Sequence, residues 1–201
     1  MPKPNPLHPA YIIFGSDRVK VRRAVARLRA RVVSESGSDL NVTVIDVGGA
    51  DAEQRAAARR KEASEETLAA LATPSFALGT RLVLVTNGHR WTANERRPLV
   101  AYLRDPMPDT VLAFEGETFG KEDALVKALG GIKKGNECVL CFNLPKRYQM
   151  VGWVQRTAVR EHGISLGAAE ARHLLSLVGE QPERLEREIE KLAAFCRGGP
   201  V

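Results

Sequence analysis

At 201 residues, 44% of them apolar, the chain is long enough for one large domain, or a medium one with a smaller companion, around a real core. No apolar run approaches the ~20 residues that span a bilayer, and three cysteines do not make an even disulfide framework. A formal net charge of +6 tilts the chain toward an acidic partner such as DNA, though acids are also abundant.

The opening "MPKPNPLHPA" is proline-rich and lacks the apolar centre of a signal peptide, so residues 1–10 read as a flexible leader on a cytoplasmic protein. Tyr11–Phe14 reads as a buried strand and Asp17–Val33 as a helix. Val21, Val25, Leu28 and Val32 recur at helical spacing and give that helix one apolar face. Arg18, Lys20, Arg22, Arg23, Arg27, Arg29 and Arg31 fill the rest, with no acid between Asp17 and Glu35. Asn41–Val47, rich in β-branched residues, is the second strand. An Ala- and Arg-rich helix over Asp51–Glu62 follows, then a second helix opened by Ser64 as N-cap, with Glu65 and Glu66 suiting its N-terminus. It ends near Ala72, since Pro74 cannot continue it cheaply. Arg81–Asn87 is the third strand. "ANERRPLVAYLRD" is a helix interrupted near Pro98, "DTVLAFEG" the fourth strand, "KEDALVKALGG" a helix closed by Gly130, and "ECVLCFN" the fifth strand. Alternating strands and helices imply right-handed crossovers and a largely parallel sheet.

After Asn143–Arg147 no further strand is expected. Three helical segments follow, with Gly163 and Gly179 at C-cap positions and Pro182 in the first turn of the last. The expected division is therefore an α/β domain over 11–143 and a three-helix domain over 144–201. The closing "GGPV" is a turn signal, as at a domain boundary.

A strand–glycine–helix opening is where a phosphate loop belongs. Such a loop needs backbone N–H groups curled around the anion, a Lys on the outer phosphates and a hydroxyl on Mg²⁺. "GSDRVKVR" offers Gly15 but no Lys-Ser or Lys-Thr, and Asp17 would repel phosphate. "GETFGKE" (Gly116–Glu122) is one residue short of the pattern, with Glu122 in place of the metal-binding hydroxyl. Glu115 ends an apolar strand, as a magnesium-holding acid would, yet acids after strands are common. Cys138 and Cys141 form a CxxC inside a strand, where alternation would point them to opposite faces; no second CxxC or nearby His completes a metal set. No catalytic constellation assembles, and no cofactor or metal is expected. Two binding leads remain. The basic helix is a candidate phosphate-holding face without aromatic residues for base stacking. Phe76, in the Pro-Ser turn of "LATPSFALG", either folds under the sheet or projects as an aromatic anchor for a partner.

Taken together, "IIFGSDRVKVRRAVARLR", "NVTVIDV", "LAALATPSFALGTRLVLVTN", "LVAYLRDPMPDTVLAFEG" and the helical stretch from "MVGWVQRTAVREHG" to "EIEKLAAF" resemble the delta subunit family of bacterial DNA polymerase III, the clamp-loader wrench. The resemblance spans nearly the whole chain after the leader. It implies an AAA+-like (P-loop-NTPase-like) domain with a parallel five-stranded sheet and no functional phosphate loop, followed by a small all-helical lid. A C-terminal collar domain, through which the family assembles, is absent from this chain, so a monomer is expected. The lid motif whose Arg senses the γ-phosphate in active loaders has Pro182 in its place, with Arg184 two residues later. The implied role is to bind the sliding clamp (beta subunit) and open the ring for loading onto primed DNA, without hydrolysing ATP. The partners are the motor subunits and delta-prime, with DNA met indirectly and no membrane. The clamp-binding element maps onto Thr73, Pro74, Ser75, Phe76 and Leu78; Phe76 takes the invading position, and Ser75 stands where the family often has Leu. Arg18, Arg22 and Arg29 are candidate DNA-facing residues. The competing readings are a DNA-binding AAA+-like adaptor using helix 18–31 and an active NTPase with a degenerate loop.

Overall fold

The computed structural model describes residues 6–48, 53–73, 79–133 and 135–196. The chain divides into two compact units, Met1–Phe142 and Asn143–Val201.

The first unit is α/β. Its strands are β1 (Ala10–Phe14), β2 (Val42–Asp46), β3 (Arg81–Thr86), β4 (Thr110–Gly116) and β5 (Val139–Cys141), in the order β2-β3-β4-β1-β5. All four pairings are parallel. The helices are α1 (Arg18–Ser36), α2 (Glu53–Ala72), α3 (Ala93–Tyr102) and α4 (Ala124–Ala128). Parallel strands covered on both faces read as continuous apolar runs, and "AYIIF", "RLVLVT" and "TVLAFEG" do so because both of their faces are buried. Ile12, Phe14, Val83, Val85, Leu112 and Phe114 face a core filled by Leu71, Leu99 and Leu125 of α2, α3 and α4. Tyr11, Ile13, Leu82, Leu84, Val111 and Ala113 face the other way, under Val21, Leu28 and Val32 of α1.

Three local expectations are corrected. The Ala-rich helix and its successor are one helix, α2, running through Ser64. No Gly or Pro breaks residues 53–72, and Ser64 is buried with its hydroxyl donating to the Glu95 carbonyl at 3.2 Å, so it does not serve as a cap. Helix α3 likewise runs through Pro98. A proline removes one intrahelical bond; here Leu99, fully buried, holds the helix to the core, and Glu95 starts it by accepting from the Thr92 N–H at 2.6 Å. Finally, Cys138 and Cys141 pack against the same core layer. Alternation does not separate them because β5 begins only at Val139, after Cys138.

The second unit consists of α5 (Met150–His162), α6 (Ala168–Val178) and α7 (Pro182–Cys196) around Met150, Trp153, Val154, Ile164, Leu185 and Ile189. Gly163 ends α5 in the left-handed conformation, φ +70°, and Pro182 is the first residue of α7.

The turn after β1 is the tightest point in the sheet. Gly15 has φ +143°, and a Cβ there would lie 1.9 Å from the Phe142 carbonyl oxygen. Gly15→Ala is therefore expected to cost at least about 3 kcal/mol of unfolding free energy in urea denaturation, from strain and a backbone clash together; a loss below about 1 kcal/mol would contradict this packing.

Candidate functional site

Strand β1 feeds α1 through Gly15-Ser16-Asp17, the place where a nucleotide-binding protein would cradle phosphate. A helix N-terminus attracts anions through its unpaired N–H groups. In this chain most of those donors are already used. The Gly15 N–H donates to the Gly116 carbonyl at 3.3 Å and the Asp17 N–H to the Phe142 carbonyl at 2.9 Å. The Arg18 N–H reaches the Ser16 carbonyl at 3.1 Å, and the Val21 N–H the Asp17 carbonyl at 3.0 Å. Asp17 itself is buried, and its carboxylate accepts from the Lys20 N–H at 3.1 Å while holding the Lys20 ammonium at 2.7 Å. The carboxylate that caps α1 thus sits where an outside phosphate would go, and a lysine neutralises it.

The second glycine-lysine stretch is also closed. Gly116 pairs with Phe14 within the sheet, and Phe119 of "GETFGKE" turns inward. Its ring meets Phe14 edge-on at 5.5 Å, and the Arg96 guanidinium lies 5.5 Å from its centroid. Glu117 pairs with Arg18, and Glu122 pairs with Lys127 at 2.5 Å. The loop is anchored by an aromatic plug rather than arranged around an anion.

Acids do gather at the carboxyl ends of the strands. Asp46 accepts from the Thr86 hydroxyl at 2.9 Å and the Asn87 amide at 2.7 Å. Burial pushes its carboxyl up, but these hydrogen bonds outweigh burial and hold it below the usual range. Glu115 behaves oppositely: burial raises it, against the pull of Arg18 and Arg22. His89 is kept low by burial and by Arg90, Arg18 and Arg96, and its Nδ1 accepts from the Glu117 N–H at 3.3 Å. Among the described residues no three His, Cys, Asp or Glu side chains group as metal ligands. A cleft of about 380 Å³ lies instead at the amino ends of the strands, between the segment preceding β1 and the segment preceding β4.

Of the residues expected from the sequence to bind the clamp, Pro74, Ser75, Phe76 and Leu78 lie outside the described residues. Its two ends are described. Thr73 closes α2, its hydroxyl donating to the Ala69 carbonyl at 2.8 Å. Gly79, φ +98°, brings the chain back so close to α1 that a Cβ there would lie 2.9 Å from the Ser36 Cα. Two residues beyond Gly79 stands Arg81, a residue that no motif marks. Its side chain is buried at the start of β3, donating to the Thr73 carbonyl at 2.6 Å and the Thr110 hydroxyl at 3.4 Å. Burial pulls its guanidinium below the usual range. Its one signal in the sequence is an arginine heading an otherwise apolar strand. Arg81 bonds the last turn of α2 to the sheet, where a cation also suits the helix dipole.

The candidate DNA-facing residues separate. All three are exposed on α1, with Arg18 tied to Glu117 and Arg22 acting on Glu115, and Arg29 seven residues beyond Arg22. In the second unit Arg184 lines a shallow cleft of about 340 Å³ with Leu177, Arg187 and Lys191.

No family model matches the chain. It is 24% identical to DNA polymerase III subunit delta of Bacillus subtilis (strain 168) over 201 residues, covering 96% of this chain and 54% of that protein. The solved Bacillus subtilis DNA clamp loader delta protein (YqeN) aligns with a TM-score of 0.66 at 23% identity, over 97% of this chain and 56% of that one. The chain has the clamp-loader delta fold. It spans about half the length of the curated relative it matches. No helix among the described residues is long and apolar enough to cross a membrane.

Two outcomes are expected. Arg81→Met should raise amide exchange at the end of α2 and at Thr73 while leaving the exchange of β1 and β4 unchanged; unchanged protection at Thr73 would contradict the role given to Arg81. Glu115, raised on folding, costs stability once it ionises. That cost is absent below its unfolded pKa and is complete above its folded one. Glu115→Gln should therefore raise the melting temperature near neutral pH and lose that advantage in acid; a lowered melting temperature near neutrality would contradict the burial effect.

Proposed function

We propose that the chain is a delta-type clamp-loader subunit of the replicative DNA polymerase III that binds the sliding clamp and favours its open ring without hydrolysing ATP. The observation that carries the non-hydrolysing part is the self-occupied first turn, where Asp17 and neighbouring carbonyls take the hydrogen bonds a phosphate needs. The likeness to the Bacillus subtilis delta proteins supports the loader assignment. In this reading the second unit is the lid and the partners are the beta clamp, the motor subunits and delta-prime. The subunit works in the cytoplasm with replicating DNA and supplies no catalytic residue.

Clamp contact is assigned to Thr73, Pro74, Ser75, Phe76 and Leu78, with Phe76 as the anchor. An aromatic side chain and a neighbour entering an apolar cleft gain roughly 3–5 kcal/mol, at about 1.5–3 kcal/mol each. Binding alone does not open a ring. Opening requires that the wedge bind the open form more tightly than the closed one, and the difference is all the work available. The pinned ends of the segment suit that task, because a segment anchored on α2 and Arg81 transmits force instead of yielding.

Binding of the 201-residue chain to the sliding clamp of its own organism, measured beside Phe76→Ala, tests the reading. A complex weakened about 30-fold by the substitution, or roughly 2 kcal/mol, is expected. Absence of clamp binding, or binding indifferent to the substitution, would contradict it.

A further inference from the structure

Strand β2 forms one edge of the sheet and, among the described residues, pairs with β3 alone. In a parallel ladder successive residues turn their N–H and C=O groups to opposite sides. The Val47 N–H, just past β2, donates to the Thr86 carbonyl at 3.1 Å, and Ile45 is in register with Val85. Thr43, Ile45 and Val47 therefore bond toward β3, and Val42, Val44 and Asp46 turn their backbone groups outward. Two of these outward groups are already bonded within the chain. The Val42 N–H donates to the Asp39 carbonyl, and the Asp46 carbonyl accepts from the Arg59 Nε–H at 2.9 Å. The Val42 carbonyl, both backbone groups of Val44 and the Asp46 N–H lie along the open edge. No lysine, proline or glycine within residues 40–47 guards it, and Val44 and Leu40 are 52% and 87% exposed. The opposite edge, β5, is only three residues long.

We propose that this edge pairs antiparallel with β2 of a second copy of the chain, about a two-fold axis at Val44. Charge complementarity decides the occupant. In that register each Val44 N–H meets the second copy's Val44 carbonyl, and each Asp46 N–H the second copy's Val42 carbonyl. The two groups already bonded, the Val42 N–H and the Asp46 carbonyl, fall opposite each other. An ordinary extended peptide would instead bring a carbonyl and an N–H of its own against those two groups and leave them without partners, which is costly. The edge is thus complementary to itself, as an isologous contact requires. The side chains agree. Val44 faces Val44 at the axis, with Cα atoms about 5.5 Å apart as in any hydrogen-bonded pair, so two exposed valines cover each other. Val42 falls opposite Asp46, which brings the exposed Asp39 of one copy beside Arg59 of the other, acid against base. The two Asp46 carboxylates stay about 13 Å apart along the strands, at about 3.3 Å per residue. Association of this kind departs from the monomer that the sequence resemblance implies.

The test is sedimentation equilibrium of the 201-residue chain from about 10 μM to about 1 mM, the range in which a contact of small area associates. A reversible monomer–dimer equilibrium is expected. Val44→Lys should weaken it at least about 10-fold, because two ammonium groups then meet at the axis. The melting temperature of the monomer should stay unchanged, since Val44 is half exposed. Val44→Glu should weaken association likewise, and an equimolar mixture of the two variants should associate again, because opposite charges then face each other. A chain that is monomeric throughout the range overturns the proposal. So does a dimer indifferent to Val44→Lys, or a mixture no tighter than either variant alone. The assay contains neither clamp nor DNA, so its failure leaves the clamp-loader reading standing.

Discussion

The buried carboxylate of Asp17 at the start of α1 is the constraint on which the first unit turns. It caps the helix and binds Lys20, next to a Gly15 whose missing Cβ lets the chain pass against the Phe142 carbonyl. A helix N-terminus facing the carboxyl end of a parallel sheet is an anion site by construction, and an internal carboxylate occupies this one. The same geometry fixes β1 between β4 and β5, because the Gly15 N–H bonds to the carbonyl of Gly116, which ends β4, and the Asp17 N–H to the carbonyl of Phe142, which follows β5. The strand–turn–helix arrangement is thereby kept with its anion site filled from within.

What that arrangement holds follows from the rest of the sheet. Helix α2 runs the length of one face and ends at Thr73, where Arg81 fastens it to β3. A buried guanidinium that donates to a carbonyl and a hydroxyl but leaves its Nε without an acceptor is costly to keep. Here it ties Thr73, just after the last turn of α2, to the sheet. Elsewhere α1 turns four arginines outward while its valines and Leu28 cover the sheet, so one helix both closes the core and carries the chain's excess charge.

Much of the fold is legible in the residues alone. Five strand-like runs correspond to five parallel strands: burial on both faces marks "YIIF" and "LVLV", while the largely exposed β2 is legible from its β-branched residues. Local signals mislead where tertiary contacts override them. Ser64 looks like a cap but bonds to Glu95 from inside a helix, and Pro98 looks like a break but costs one bond that Leu99 burial outweighs. The negative charge of Asp17 is visible in its letter. Its capture of Lys20 is a local contact three residues along, but that the donors of the turn are spent on Gly116 and Phe142 depends on carbonyls about a hundred residues away, which only folding brings near. Arg81 carries no motif, because its meaning lies in the Thr73 carbonyl eight residues earlier, on the far side of a helix end.

Amide hydrogen exchange across residues 15–21, with and without Mg–ATP at millimolar concentration, tests the closed turn most directly. Slow exchange at Gly15, Asp17 and Lys20, unchanged by nucleotide, is expected of donors already bonded within the protein. Fast exchange that slows when Mg–ATP is added would show an open phosphate site and contradict a turn sealed by its own aspartate.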